Sequence, residues 1–229
     1  MSLSRVPSLF EELPAPLAGH FDPERPWDLL GSPLEGLLET LPSSRLDVRL
    51  LPEVHLLGDR IVIQRGVRVA PGVVIEGPVF IGAGTVLRPG ASVRGGSWIG
   101  EGCVVGANSE IKHSILLDGA RAPHLNYVGD SILGRRVNLG AGTVLSNFRH
   151  DGGEIHVTWG EKRICTGRRK LGAVLGDDVL TGCNSVLHPG CIVGRKTQIY
   201  PGVQLRSGFY PERSLVKLVQ QLEIVPRRG

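Results

Sequence analysis

The chain has 229 residues, of which 41% are hydrophobic, and this share is enough for a packed core and excludes general disorder. Lysine and arginine outnumber aspartate and glutamate by 26 to 22, and the resulting net charge of +4 suits a small anionic molecule better than an extended nucleic-acid groove. The 32 Gly and 16 Pro are too many helix breakers for an ordinary helical domain.

The first 50 residues are rich in proline and contain two short helical patterns, PWDLL and LEGLLETL. We expect this segment to cap the open end of the structure that follows or to brace a partner. The sequence begins without an apolar stretch of signal-peptide length and has no run of about 18 apolar residues. We therefore expect a cytoplasmic protein without a membrane span.

From residue 57 onward, an aliphatic residue recurs at every sixth position, ten times in succession. A period of six fits neither an α-helix nor an alternating strand. It indicates short strands wound as a triangular coil of three hexapeptides, with the aliphatic side chains inside and glycines at the turns. The ten positions are Leu57, Ile63, Val69, Ile75, Ile81, Leu87, Val93, Ile99, Val105 and Ile111.

The same period returns later in the chain, from Leu175 to Leu205. We predict a coil over residues 51–208, with a slip in spacing between Ile111 and Leu133 and an expelled loop at 148–170. Insertions in a solenoid usually map to a functional face. Residues 209–229 are predicted to form an amphipathic helix, because four apolar residues lie at helical spacing: Leu215, Leu218, Val219 and Leu222.

The stretch APHLNYVGDSILGRRVNLGAGTVLSN, residues 122–147, resembles the acetyltransferase half of the bacterial bifunctional N-acetylglucosamine-1-phosphate uridyltransferase/glucosamine-1-phosphate acetyltransferase. The segments PHLNYVGDSILG, GRRKLGAVLGDD, CNSVLHPG and YPGVQLRSGFYP resemble the β-helix tail of sugar-1-phosphate nucleotidyltransferases of the glucose-1-phosphate thymidylyltransferase-like group. This resemblance implies an all-β fold, a single-stranded left-handed parallel β-helix of hexapeptide repeats. It further implies a homotrimer with active sites between subunits.

The activity implied by the resemblance is acetyl-CoA-dependent N-acetylation of an amino-sugar 1-phosphate. Residues 1–50 contain nothing that resembles the Gly-rich phosphate loop of the nucleotidyltransferase domain, so we expect no nucleotide transfer by this chain alone. Whether the chain is free-standing or the C-terminal part of a longer protein stays open.

The resemblance also assigns roles to individual residues. It makes His124 the base, which suits an imidazole titrating near the working pH, and Asn147 the group that fixes the amine or the oxyanion. For acetyl-CoA it implies Ala141, Cys183 and Pro201. The implied ligands of the sugar phosphate are Arg94, Lys112, Tyr127, Asn138 and Lys170, with Arg88 as an alternative to Arg94. Arg94 is preferred because it lies one coil before Lys112, and only residues one coil apart share a face.

Three departures from the family pattern, the third being a longer loop, leave a second function open. Phe148 stands where the family has a tyrosine, and Cys183 where it has a serine. The added basic residues of the loop either clamp a phosphate or are solvated. The alternative to catalysis is a non-catalytic assembly or regulatory domain of a sugar-1-phosphate nucleotidyltransferase. A zinc enzyme is the weakest reading, because the spacing of His150 and His156 does not fit the known pattern, and we expect no metal and no nucleic acid.

Overall fold

The computed structural model describes residues 8–220 and residue 225, and in this part the chain winds as a left-handed parallel β-helix, as predicted. Each coil passes through three flat sheets in the order face C, face B, face A. Face A has nine strands and face B has eight. Face C consists of a four-stranded and a three-stranded sheet, which are joined by backbone bridges from Asn138 to Arg121 and Leu180.

The strands are numbered in chain order and are short. Face A contains β1 (Ser44–Leu46), β3 (Ile61–Ile63), β6 (Val79–Ile81), β9 (Ser97–Ile99), β12 (Ile115–Leu116), β15 (Ile132–Leu133), β19 (Ala173–Leu175), β22 (Cys191–Val193) and β25 (Gly208–Tyr210). Face B contains β2 (His55–Leu57), β5 (Val74–Glu76), β8 (Ser92–Val93), β11 (Glu110–Lys112), β14 (Tyr127–Gly129), β16 (Val144–Leu145), β21 (Val186–Leu187) and β24 (Gln204–Leu205). Face C contains β4 (Arg68–Val69), β7 (Val86–Leu87), β10 (Val104–Ala107), β13 (Arg121–His124), β20 (Leu180–Thr181), β23 (Gln198–Ile199) and β26 (Leu215–Val216).

The remaining elements lie outside the coil. They are an antiparallel hairpin of β17 (His156–Trp159) and β18 (Lys162–Cys165), the helices α1 (Ala15–Ala18) and α2 (Ser32–Glu39), and a 3₁₀ turn at Pro26–Leu30. None of the described helices is long and apolar enough to cross a membrane.

The predicted aliphatic series lines the interior of the prism from Ile63 onward. Leu57 is an exception and the prediction for it is wrong: its side chain is 51% exposed. Its neighbour Leu56 pairs with the interior residue Ile75, so Leu57 points outward. Two cysteines, Cys103 and Cys191, are buried in the interior, and this burial raises the pKa of the Cys103 thiol to about 12 and raises the pKa of the Cys191 thiol as well.

The slip after Ile111 is a shortened corner, and the coil continues through it. Leu116, Ala122 and Val128 are fully buried and carry on the interior series. The corner between faces B and A loses one residue in these coils because a single residue in the left-handed conformation makes the turn. His113 (φ 51°) does so in one coil and Asp130 (φ 45°) in the next.

The predicted helix over residues 209–229 is wrong for the part that the structure describes. Residues 208–210 form a strand of face A, and Leu215 and Val216 form a strand of face C that pairs with Gln198 and Ile199. Residues 217–220 have no regular structure, and Leu222 lies outside the described residues. The chain therefore completes another turn of the coil where the helix was expected.

The N-terminal segment does not cap an end of the prism as predicted, and the coil begins before residue 51. Strand β1, at Ser44–Leu46, already pairs in face A. The preceding residues lie along the outside of face A, where the 3₁₀ turn and α2 bury Trp27, Leu30 and Leu34 against the sheet. The strands of face A are apolar on both sides, and Phe80 and Trp98 stack on the outer side with ring centroids 4.0 Å apart.

The expelled loop covers the same outer surface. Ile155 and Val157 are buried in the cluster formed by the N-terminal segment and face A. The Arg25 guanidinium donates to the backbone carbonyls of Cys165 and Thr166, at 3.3 and 3.2 Å, and so joins the two covers. Face A is thus closed to other molecules by the chain itself over much of its length.

Residues 9–12 form a strap across the corner between faces A and C. The Asp177 backbone N–H donates to the Leu9 carbonyl at 2.9 Å, and the Asp177 carboxylate accepts from the Glu11 backbone N–H at 2.7 Å. Burial raises the pKa of Asp177. Ion pairs of Glu11 with Arg195 and of Glu12 with Arg135 hold the strap on either side.

Candidate functional site

Four of the predicted site residues form a single line along the corner between faces C and B. They lie in successive coils, in the order His124, Ala141, Cys183, Pro201. Backbone hydrogen bonds link each coil to the next: Gly142 N–H to the His124 carbonyl at 3.1 Å, Asn184 N–H to the Ala141 carbonyl at 2.8 Å, and Gly202 N–H to the Cys183 carbonyl at 2.9 Å. We call these four residues the C–B column. Adjacent members are about 4.8 Å apart, which is the spacing of parallel strands.

His124 ends strand β13 with its side chain exposed. Its backbone N–H donates to the Asn126 side-chain oxygen at 3.0 Å, and the Asn126 amide donates in turn to the Gly140 carbonyl at 2.8 Å. These two hydrogen bonds hold in place the corner from which the His124 imidazole projects. Arg88 reaches up from two coils below, with its Nη1 3.5 Å from His124 Nε2. Arg88 therefore lies with the predicted base, on the opposite edge of face B from Lys112.

The predicted phosphate ligands Arg94 and Lys112 lie one above the other at the corner between faces B and A. Lys112 Nζ is 3.3 Å from Asp130 Oδ2, and the Asn147 amide Nδ2 donates to the same oxygen at 2.5 Å. The Asp130 side chain is only 8% exposed. Lys112 and Asn147, both half-buried, therefore form a polar triad with the buried Asp130, a member that the sequence analysis missed.

Arg94 is also already paired with carboxylates. Its Nη1 lies 3.1 Å from Glu110 Oε1 and its Nε lies 3.8 Å from Glu76 Oε2. The hydrogen bond that Arg94 donates to Glu110 raises the pKa of Arg94. Glu76, Glu110 and Asp130 together outnumber the two cations at this corner. The resemblance that named Lys112 and the coil spacing that selected Arg94 carried no signal for these acidic partners, although each lies within one coil of a named residue.

Tyr127 joins this edge of face B to the triad. A Cβ built on Gly129 would lie 2.6 Å from the Tyr127 hydroxyl and 2.7 Å from Asn147 Nδ2, so the bare glycine leaves the space that these two side chains share. Burial, together with the charges of Glu110 and Asp130, raises the pKa of the Tyr127 hydroxyl, while its hydrogen bond with Asn147 opposes the shift. The hydroxyl therefore stays protonated and is available as a donor.

The predicted catalytic pair does not meet within one chain. His124 lies at the C–B corner and Asn147 at the B–A corner, and face B separates them. Tyr127 follows His124 by three residues, a span of about 10 Å in an extended strand. A ligand that contacts both residues of one chain must lie across face B.

Two predicted ligands lie away from both the C–B column and the triad at the B–A corner. Asn138 bridges Arg121 and Leu180 on face C, before the C–B corner. Lys170 is exposed and its backbone pairs with Phe148 where the expelled loop returns to the coil. No set of three His, Cys, Asp or Glu side chains within residues 8–220 and 225 is arranged to hold a metal ion.

Comparison with known proteins places this arrangement in context. A family model described as the GMPPB C-terminal domain matches residues 75–197. A bifunctional sugar-1-phosphate nucleotidylyltransferase/acetyltransferase of Sulfurisphaera tokodaii is 48% identical over 98 residues, which is 43% of this chain and 24% of that protein. A bifunctional protein GlmU of Azoarcus is 35% identical over 162 residues, 71% of this chain and 32% of that protein. The chain thus spans about a quarter to a third of the length of these curated relatives.

The solved structures that resemble the chain are more distant. The Francisella novicida UDP-N-acetylglucosamine acyltransferase is 15% identical, with a TM-score of 0.31, over 71% of this chain and 62% of that one.

Proposed function

Because the chain belongs to the GMPPB C-terminal domain family, whose model matches more than half of it, we propose that it is an acetyl-CoA-dependent N-acetyltransferase of an amino-sugar 1-phosphate. One observation carries the proposal: the C–B column places an exposed imidazole directly below an open line of small residues. Two curated relatives named above have acetyltransferase or GlmU in their names. The activity is proposed for this chain and is not taken over from those longer proteins.

In the proposed reaction, the thioester arm of acetyl-CoA lies along Ala141, Cys183 and Pro201. The amine nitrogen of the sugar attacks the thioester carbonyl carbon while the His124 imidazole takes its proton. The carbon–sulfur bond then breaks, and the departing thiolate receives that proton from the imidazolium. A direct transfer of this kind needs no covalent enzyme intermediate, so Cys183 serves as a packing surface and not as a nucleophile.

The opposite edge of face B would orient the acceptor. Tyr127 and Asn147 supply donors for hydroxyl or oxyanion oxygens, and Lys112 and Arg94 supply positive charge. Glu110 competes with a phosphate for Arg94, so the Arg94 side chain must turn away from Glu110 when the sugar phosphate binds. Because these partners are solvent-exposed, breaking their pair costs under about 1 kcal/mol.

We propose a homotrimer in which faces B and C make the contacts between subunits. Face A is covered by the N-terminal segment and the hairpin, whereas face C exposes Leu180 (41%) and Leu215 (47%). A closed ring needs two different surfaces on each subunit, and faces B and C are the two that remain open. In such a ring, a His124 of one subunit can face the triad of another.

Thiol release from acetyl-CoA tests the activity. We expect release in the presence of one member of a panel of amino-sugar 1-phosphates, lost in His124→Ala and retained in the matched variant His55→Ala, which removes an exposed histidine from the lowest coil of face B. No release above the His124→Ala level from a folded protein would refute the proposal.

A footprint tests the binding step separately. Cys165 and Cys183 are both exposed free thiols, and only Cys183 belongs to the C–B column. We expect desulfo-CoA to slow the alkylation of Cys183 and to leave the alkylation of Cys165 unchanged. Equal rates at Cys183 with and without desulfo-CoA would exclude binding along the column.

A second candidate function is a non-catalytic assembly domain of a sugar-1-phosphate nucleotidyltransferase. The ion pairs that neutralise Arg94 and Lys112 favour it, as does Phe148, which is 46% exposed and has no hydroxyl. Under this alternative the chain forms the trimer but releases no thiol with any sugar, and desulfo-CoA leaves Cys183 unprotected.

A further inference from the structure

The expelled loop and the upper coils of face B enclose a groove that the acetyltransferase proposal does not use. We call it the loop groove. Its volume is about 840 Å³, within the range of small-molecule sites. Its floor is the outer side of face B at Val144 and Val186, and its wall is the loop from Phe148 to His156. It therefore lies in the same coils as the upper part of the C–B column, at the opposite edge of the face.

One side of the loop groove is cationic and rich in hydrogen-bond donors. His188 and Arg206 stack in successive coils, joined by a backbone hydrogen bond of 2.9 Å from His188 N–H to the Leu205 carbonyl. No carboxylate among the described residues lies within ion-pair distance of Arg206, in contrast to Arg94 and Lys112. His150 and His156 add imidazoles from the loop. The groove contains one carboxylate, Asp151, and its charge is already matched by Arg149.

The spacing of these donors suits two linked phosphates. Residues one coil apart are about 4.8 Å apart, so His188 and Arg206 can each donate to an oxygen of a different phosphate of one diphosphate. A guanidinium without a carboxylate partner binds such oxygens in a bidentate manner. A single phosphate would use only one level of this stack.

The other side of the groove is apolar and presents an aromatic ring. The Phe148 side chain is 46% exposed, and Val144 and Val186, which are half-buried, continue the apolar surface beside it. An exposed aromatic ring next to an unpaired guanidinium is a common way to bind a base together with its phosphates. Neither a sugar 1-phosphate nor a simple anion would make use of this surface.

We propose that the loop groove is a binding site for a nucleoside diphosphate group, with the base over Phe148 and the diphosphate between His188 and Arg206. Two kinds of ligand that contain this group are considered. One is a nucleotide-activated sugar, and the other is coenzyme A, through its adenosine diphosphate moiety. On each shared coil the C–B column and the groove are five residues apart, about 16 Å, so one extended molecule can reach from the column to the groove.

Isothermal titration of the full chain at about 0.1 M salt tests the site, with GDP, UDP, ADP and inorganic pyrophosphate as probes. We expect at least one nucleoside diphosphate to bind about tenfold more tightly than pyrophosphate, because base stacking on an aromatic ring contributes about that factor or more. Phe148→Ala is expected to remove this advantage and to leave pyrophosphate binding unchanged.

Arg206→Gln is expected to weaken both nucleoside diphosphate and pyrophosphate binding about tenfold, the usual effect of losing a charge-assisted hydrogen bond. The matched variant Arg68→Gln removes an exposed arginine from face C and is expected to have no effect. Both positions are exposed, so circular dichroism serves to show that the variants remain folded. The proposal is overturned if no nucleoside diphosphate binds at 1 mM, roughly the weakest affinity of a functional ligand, if Arg68→Gln weakens binding as much as Arg206→Gln, or if Phe148→Ala has no effect.

Competition identifies the source of the group. If desulfo-CoA displaces GDP or ADP from the groove and Arg206→Gln weakens desulfo-CoA binding, the groove holds the nucleotide end of the acyl donor. If GDP or UDP binds without changing desulfo-CoA affinity, the groove holds a nucleotide-activated sugar. These titrations do not depend on acetyl transfer, so the site stands or falls separately from the thiol-release assay.

Discussion

Replacing Gly106 by alanine is expected to disrupt the coil beneath His124. A Cβ built on Gly106 would overlap the backbone carbonyl of Pro123 in the coil above, far inside the 3.0 Å that real Cβ atoms keep from other heavy atoms. The Pro123 carbonyl belongs to rigid strand backbone and cannot rotate away, so the whole corner has to move by more than about 1 Å.

The size of the effect follows from what that movement breaks. Overpacking costs about 1–3 kcal/mol. The movement also stretches the hydrogen bonds from Leu125 N–H to the Ala107 carbonyl (2.9 Å) and from His124 N–H to the Asn126 side chain (3.0 Å). Each such bond contributes about 1 kcal/mol. We expect Gly106→Ala to lower the free energy of unfolding by about 3 kcal/mol and, if His124 is the base, to reduce kcat about 100-fold.

Gly36→Ala is the matched control for this substitution. Gly36 lies in α2, nothing lies within 4 Å of a Cβ built there, and its φ is not in the left-handed region. The same added methyl group is therefore expected to stabilise the protein by about 0.5–1 kcal/mol. Urea denaturation measures both changes as shifts in midpoint at constant slope. A Gly106→Ala variant within about 0.5 kcal/mol of the wild type would refute the account of how the coils stack.

Three further results are expected. Titration of the native protein with a thiol reagent at pH 8 should modify two of the four cysteines, because the two interior thiols are buried. After unfolding, the same reagent should modify all four. Modification of three or more cysteines in the folded state would contradict the interior placement. Lys112→Met should lower the free energy of unfolding, measured in urea, by about 1–3 kcal/mol, because it leaves the buried Asp130 carboxylate short of a partner. The control Lys196→Met, at an exposed position, should leave the urea midpoint unchanged. Equal midpoint shifts in the two variants would contradict the triad. The hydrogen bond from Arg136 lowers the pKa of Asp178 below its ordinary 3.8, so this pair stabilises the fold above that pH, and the contribution, under about 1 kcal/mol, is lost as the pH falls through the lowered pKa. The difference in unfolding free energy between the wild type and Arg136→Gln should therefore become smaller below pH 4. A difference that grows there would contradict the direction of the pKa shift.

The interior of the coil could be predicted from the sequence because one position in six is apolar throughout the series, with the hydrogen-bonded Thr181 as the exception. That regularity located Ile63 to Ile111 and Leu175 to Leu205. The period of six failed at the corners of His113 and Asp130. A single residue in the left-handed conformation makes the turn there, and this backbone conformation cannot be read from the apolar pattern. It also stopped too early at Leu205, since Tyr210 and Val216 continue the series at spacings of five and six.

The C-terminal helix was predicted from helical spacing that the tertiary structure overrides. Leu215 and Val216 pair with a neighbouring strand, and the coil below supplies a template that an isolated segment of this composition lacks. The cover on face A left a signal that could have been used. Strands such as VFI, SWI and CIV are apolar at the outward position as well, and a strand that is apolar on both sides must be covered on both.

The candidate site residues came from the resemblance, and the stacking of coils decided only between Arg94 and Arg88. The structure sets His124, Ala141, Cys183 and Pro201 in one line, because residues one coil apart share a corner. The partners of Arg94 and Lys112 are set by side-chain reach across a corner, which no spacing rule contains. The resemblance named the basic members of that corner and was silent about Glu76 and Glu110.

The strap that joins Leu9 and Glu11 to Asp177 and Arg195 has a consequence for biosynthesis. A plain solenoid can fold as it leaves the ribosome, since each coil needs only the one before it. Here the strap is made well before the residues that anchor it, because those residues are encoded far downstream. At roughly 5–20 residues per second, the 166 positions from Glu11 to Asp177 take about 8–33 s to synthesise, and Leu9 and Phe10 stay without their final partners for that time. During that interval the nascent chain presents an apolar segment to the cell, and the order of synthesis makes a holding chaperone useful to this protein.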